Sequence, residues 1–139
     1  VGACMTMRPE LFNAVVAEAP FVDVVTTMYD ETLPLTITEW DEWGNPAEEP
    51  FASYMLSYSP YDQTTARDYP ALFITAGLND VRVSYHEPAK WIAKLRAVRT
   101  NHETLIMRCE LGAGHAGPSG RYDVWREEAR VLSFLVSVV

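Results

Sequence analysis

The chain has 139 residues, of which 48% are apolar and 22% charged, and its 11 basic and 19 acidic residues leave a net charge of −8. That length suits one domain or part of one, and the composition excludes disorder and collagen-like repeats. The negative charge argues against nucleic acid or an anionic membrane as partner, and no apolar run approaches the roughly 18–20 residues of a membrane span.

The chain opens Val1-Gly2-Ala3-Cys4. It lacks both an initiator Met and the basic start and apolar core of a signal peptide, so the start reads as a cut. Ala3, Met5, Met7, Leu11 and Phe12 suit the end of a helix interrupted before Pro9. Asn13 to Pro20 is a short apolar run closed by proline, the pattern of a buried strand. From Phe21 to about Tyr69 acids, aromatics and Pro34, Gly44, Pro46, Pro50 and Pro60 predict short helices and loops.

Order returns at Ala71–Ala76, a buried-strand run that ends in Gly77-Leu78-Asn79-Asp80. Ser84-x-x-Glu87 resembles a capping box with Pro88 in the first turn, opening a helix that turns Trp91, Ile92, Leu95 and Val98 inward. Thr104–Cys109 is a third strand, Gly112–Gly120 a loop, and Tyr122, Trp125, Ala129, Leu132 and Leu135 space out a closing helix of about four turns. Strands alternating with helices predict an α/β fold with a parallel sheet.

In open α/β sheets the working residues lie in loops past the carboxyl ends of strands. Asp80 follows the second strand and His115 the third. A carboxylate that fixes a histidine tautomer, with that histidine as general base, makes two members of a hydrolytic triad, and Asp before His is the α/β-hydrolase order. Taken singly, a capping Asp80 and a loop-packing His115 are the simpler readings; together the pair favours chemistry. The nucleophile is missing. Ser53, Ser57, Ser59, Ser84, Ser119, Ser133 and Ser137 all fall outside G-x-S-x-G, and a cut start places the elbow just before Val1.

Gly112-Ala-Gly114-His-Ala-Gly117 also spells the dinucleotide fingerprint G-x-G-x-x-G. That motif needs a further strand ending in an acid about 20 residues on, where the closing helix stands, and Pro118 suits the helix start poorly. Up to Asp62 there are eleven acids and one base, and seven carboxylates lie between Asp30 and Glu49 with no lysine or arginine. Trp40 and Trp43 are interleaved with Glu39, Asp41 and Glu42, so the run is either a solvated acidic face or a pocket for a guanidinium or ammonium group. Cys4 and Cys109 are too few for a disulfide scaffold or zinc site and are expected to be reduced core thiols. His86 and His102 match no metal spacing, and Lys90, Lys94, Arg96 and Arg99 are expected on a solvated helix face.

Glu39-Trp-Asp-Glu-Trp-Gly-Asn-Pro46, Tyr58-Ser-Pro-Tyr-Asp62, Thr75-Ala-Gly-Leu-Asn-Asp80-x-Arg-Val83, Glu87-Pro-Ala-Lys-Trp91 and Gly112-Ala-Gly-His115 with Gly117-x-Ser-Gly-Arg121 stand together along nearly the whole chain. Jointly they resemble the oligopeptidase B branch of the prolyl oligopeptidase family of serine peptidases. The resemblance implies that residues 1–139 are the C-terminal portion of a catalytic α/β-hydrolase domain, with the early strands and an N-terminal β-propeller elsewhere in the protein. It implies cleavage of short basic peptides after Arg or Lys, with Asp80 and His115 as triad members and the serine a few residues before Val1. Glu39 matches the acid that holds the basic side chain, and Asp41 and Glu42 are its neighbours. Ala116 stands where the family often has glycine, a change tolerated unless that residue needs a positive φ. No metal or organic cofactor is implied, no nucleic acid or membrane partner, and the location expected is cytoplasmic. The alternatives are a prolyl oligopeptidase or acylaminoacyl-peptidase-like hydrolase, which would lack the acids near Glu39, and a non-catalytic hydrolase remnant used for binding.

Overall fold

A computed structural model describes residues 1–138. The chain runs α1 (Gly2–Met7), a 3₁₀ turn (Pro9–Leu11), β1 (Ala14–Glu18), α2 (Val24–Tyr29), α3 (Thr36–Trp43), α4 (Phe51–Tyr58), α5 (Pro60–Gln63), β2 (Ala71–Gly77), α6 (His86–Val98), β3 (Leu105–Glu110) and α7 (Arg121–Val138). The strands form one parallel sheet in the order β1-β2-β3. No helix among the described residues is long and apolar enough to cross a membrane.

Successive strand residues point to opposite faces, so the sheet builds two cores. On one face Val15, Ala17, Leu72, Ile74 and Leu105 pack with Met5 of α1 and with Trp91, Ile92 and Leu95 of α6. On the other, Ala71 and Phe73 meet Phe134 of α7, whose ring stacks on Phe73 at 5.4 Å between centroids. Full burial of a side chain such as Leu95 is worth about 1.5–3 kcal/mol, so the α6 stripe is a main attachment of that helix. A third, smaller cluster of Val24, Met28 and Met55, flanked by Trp40 and Trp43, holds α2, α3 and α4 together beside the sheet.

Gly44 closes α3 with φ 93°, and a Cβ there would come within 2.2 Å of the Phe51 ring, so only glycine lets α4 start against the end of α3.

Several local expectations change in the fold. Ser84 and Glu87 form no capping box: the first helical residue is His86, and the Glu87 side chain turns inward instead of back to the cap. Its Oε2 accepts the main-chain N–H groups of Val22 and Asp23, each at 3.0 Å, and Oε1 accepts the Thr27 hydroxyl at 2.5 Å. The basic face of α6 is engaged. Lys90 pairs with buried Asp23, Lys94 donates to the Tyr61 carbonyl, both ammonium groups lie over the Tyr61 ring, and Arg96 donates to the Leu105 carbonyl.

The closing helix is longer than expected and rotated. Phe134 with Val131, Leu135 and Val138 faces the sheet, while Tyr122, Trp125 and Leu132 are exposed. Two apolar stripes compete on this helix. The stack on Phe73 and the two-pronged Arg108–Glu127 bond, at 2.8 and 2.9 Å, select the one carrying Phe134. The cysteines are free but not core: Cys4 is exposed and Cys109 half-buried.

The register aligns Gly77 with Glu110, so the loops after β2 and β3 leave side by side. They are laced together by Leu78 N–H to the Glu110 carbonyl (3.0 Å), Asn79 N–H to the Ala113 carbonyl (3.0 Å) and Asn79 Nδ2 to the Leu111 carbonyl (3.1 Å). A Cβ on Gly77 would lie 2.6 Å from the carbonyl oxygens of Ala113 and Gly114, so this close approach requires glycine. Gly77→Ala is expected to lift residues 112–115 off the end of β2. Amide exchange there should accelerate by roughly tenfold or more, and unchanged exchange would refute the close-packing account.

Burial, reinforced by the neighbouring Asp23 charge, drives the Glu87 carboxyl above its ordinary value, against the lowering effect of its hydrogen bonds from Thr27 and the Asp23 and Val22 amides. A carboxyl raised in the folded state holds its proton more tightly folded than unfolded, so its contribution to stability is present at low pH and is lost as pH rises through the folded value. Glu87→Gln removes that loss. Its stability relative to the parent should therefore rise from pH 4 to neutrality in urea unfolding, and a flat or falling difference contradicts the shift.

Candidate active site

Asp80 sits in the turn after β2, with its side chain 1% exposed. Both carboxylate oxygens are occupied. Oδ1 accepts the N–H groups of Arg82 at 2.9 Å and Val83 at 3.0 Å, and Oδ2 lies 2.8 Å from Nδ1 of His115. Burial pushes this carboxyl up, but the Val83 amide, the His115 ring and the Arg82 amide outweigh it and hold Asp80 below the ordinary aspartate value. The acid is thus kept ionised beside an imidazole whose Nδ1 it orients.

His115 is presented by a tight turn. Gly117 N–H donates to the Gly114 carbonyl at 3.1 Å, and Gly117 takes φ 77°. Ala116 does not adopt a positive φ, so its methyl group is accommodated as expected. The His115 side chain is 42% exposed and borders two cavities. The first, about 280 Å³, opens at the carboxyl edge of the sheet and is lined by Glu18, Ala19, Thr75 and Gly77 among others. Ala19, at φ 41°, is the one non-glycine residue of positive φ among those described, and its N–H is held by the Thr75 carbonyl at 2.9 Å. The second, about 300 Å³, lies between α3 and the Asp80 turn and is lined by Glu39, Glu42, Trp43, Arg82 and Val83.

The acidic run therefore divides by helix geometry. Glu39 and Glu42, three residues apart, share the face of α3 that borders the cavity, whereas Asp41 does not line it, although both Asp41 and Glu42 are exposed. α3 is fixed by Trp40 Nε1 donating to the Met28 carbonyl at 3.1 Å and Thr36 Oγ1 donating to the Thr27 carbonyl at 3.0 Å. Arg82 enters the sequence reading only inside the Thr75–Val83 motif, and Ala19 only inside the Asn13–Pro20 run. Arg82 could have been found from its place in the turn after a strand; the strained backbone of Ala19 leaves no signal in residue type. No serine among the described residues lines either cavity. Gly112 to Gly117 form the histidine turn and lead into α7 only at Arg121, not at the third glycine as a dinucleotide site requires.

An ionised, buried carboxylate orienting one nitrogen of an imidazole, with open space beside the ring, is an arrangement able to take and return a proton at the other nitrogen. Comparison with known proteins places the chain in a family. The chain is 54% identical over 136 residues to Protease 2 of Moraxella lacunata, covering 98% of this chain and 20% of that protein. It is 47% identical over 136 residues to Dipeptidyl aminopeptidase BI of Pseudoxanthomonas mexicana, covering 98% of this chain and 19% of the relative. Among solved structures, oligopeptidase B from Trypanosoma brucei with covalently bound antipain, in its closed form, superposes with a TM-score of 0.96 at 50% identity, over 99% of this chain and 19% of that one. The chain thus spans about a fifth of the length of these relatives. The family model described as prolyl oligopeptidase family matches residues 1–139, and by sequence and by its α/β architecture the chain belongs to the prolyl oligopeptidase family.

Proposed function

We propose that residues 1–139 are the C-terminal portion of the catalytic domain of a serine oligopeptidase that cleaves short peptides after Arg or Lys. The observation that carries this reading is the 2.8 Å His115–Asp80 contact standing between a cavity at the sheet edge and a cavity lined by Glu39 and Glu42. The nucleophilic serine would come from outside residues 1–139, as the family resemblance implies, and the rest of the protein would include the β-propeller. The exposed free thiol of Cys4 suits a reducing, cytoplasmic setting.

The reaction is acyl transfer. The serine hydroxyl attacks the peptide carbonyl while His115 Nε2 takes its proton. Asp80 holds Nδ1–H and supports the imidazolium, which returns the proton to the leaving amine; water then repeats the sequence on the acyl-enzyme. Glu39, with Glu42 beside it, would pair a basic side chain entering the second cavity, and Trp43 offers its ring to the same cation. Asp41, exposed and outside the cavity lining, would contribute through general negative potential. The relative named Dipeptidyl aminopeptidase BI favours a second reading, release of dipeptides from peptide amino termini by the same chemistry.

In the full-length protein, Asp80→Asn should lower kcat/KM on an arginyl substrate on the order of ten-thousandfold with the fold intact, and His115→Ala by at least as much. Turnover within tenfold of the parent in either variant would overturn the assignment. Glu39→Gln should weaken use of arginyl substrates roughly a hundredfold while an uncharged active-site label still reacts at near the parental rate. An equal loss on both probes would make Glu39 structural.

A further inference from the structure

Glu87 is 4% exposed, lies on the first turn of α6 and lines neither cavity. Its carboxylate binds the chain between β1 and α2 by the two main-chain N–H bonds described above and reaches α2 through Thr27. From Thr27 the connection continues. The Thr27 carbonyl accepts the hydroxyl of Thr36, the first residue of α3, and the next carbonyl, of Met28, accepts the indole N–H of Trp40, the neighbour of Glu39. The same N-terminal end of α6 follows on the turn that carries Asp80. One carboxylate thus joins the element that leads away from the His115–Asp80 pair to the element that carries Glu39 and Glu42.

We infer that Glu87 is a positioning residue for basic-substrate selection, setting the acidic face of α3 at its distance from the His115–Asp80 pair without touching substrate. This rests on the reading of Glu39 given above. An apolar contact could hold the same corner; three hydrogen bonds converging on two oxygens also fix its direction. Lys90, one turn along α6, pairs with Asp23 and secures the same corner. A displacement of α3 changes where a guanidinium binds and leaves the proton-transfer pair in place, because Asp80 is held by the N–H groups of its own turn.

The test uses the full-length protein, with competent sites counted by an uncharged phosphonylating reagent. Glu87→Ala should raise KM for an arginyl amide by roughly tenfold, with kcat per titrated site and the labelling rate within about twofold of the parent. Glu87→Gln should recover most of the loss, since its amide oxygen can accept both main-chain N–H groups and its NH₂ can donate to the Thr27 hydroxyl. A merely structural residue would reduce the number of titratable sites and leave KM unchanged, and that result overturns the inference. Should Glu87→Ala not fold, Thr27→Val removes only the hydroxyl link to Glu87. It should raise the arginyl KM about threefold, and an unchanged KM counts equally against the proposal. Glu39→Gln run alongside separates the two readings. If it leaves the arginyl KM unchanged, the acidic-pocket reading and this inference fall together; if it raises KM while the Glu87 and Thr27 variants do not, only the inference falls.

Discussion

The constraint on which the site depends is the saturation of the Asp80 carboxylate. One oxygen is held by two amides of its own turn and the other by His115, in a side chain almost withdrawn from water. A buried carboxylate is tolerated only with such partners, and here they also keep it ionised. The requirement runs in both directions. The histidine turn must arrive beside the end of β2, which demands parallel register between β2 and β3 and the absence of a side chain at Gly77. Sheet, loop packing and imidazole orientation are thus consequences of one another.

The sheet and the meeting of Asp80 with His115 were legible in the sequence because their signals are local. Ala71–Gly77 is an apolar run ended by a glycine, Trp91, Ile92 and Leu95 recur at helical spacing, and Asp80 and His115 follow their strands in hydrolase order. Residues 21–69 were not legible in detail. Their helices are six, eight, eight and four residues long, too short to be stable alone; the first three form because Val24, Met28 and Met55 share a small core, and the last packs Tyr61 on the main core. The rotation of α7 had the same origin: two stripes were both plausible, and the choice lay in Phe73, a partner far away in sequence. Charged residues misled for a related reason. Glu87 and Lys90 read as a cap and a solvated lysine, since nothing within a helix announces that its neighbour offers free N–H groups or a buried aspartate.

The acidic run shows what composition alone conveys. Its charge announced a preference in potential for cations, but which carboxylates matter is decided by the 100° step of a helix. Glu39 and Glu42 line the cavity and Asp41 does not. A single Arg82 on the opposite wall leaves the cavity with more negative than positive groups.

The four tryptophans occupy four different surroundings. Trp91 is sealed in the core with its indole donating to Thr64, Trp40 is bound to the Met28 carbonyl, Trp125 stands 58% exposed, and Trp43 lines the acidic cavity. Indole emission shifts with the polarity and charge around the ring, so a cation that entered beside Glu39 would change the light from Trp43 directly. Trp125, on the far helix, is open to collisional quenchers whether or not the cavity is filled. On the proposed reading of Glu39, the chain would carry its own optical gauge of that cavity, and its occupancy would be followed by intrinsic fluorescence without attaching a dye.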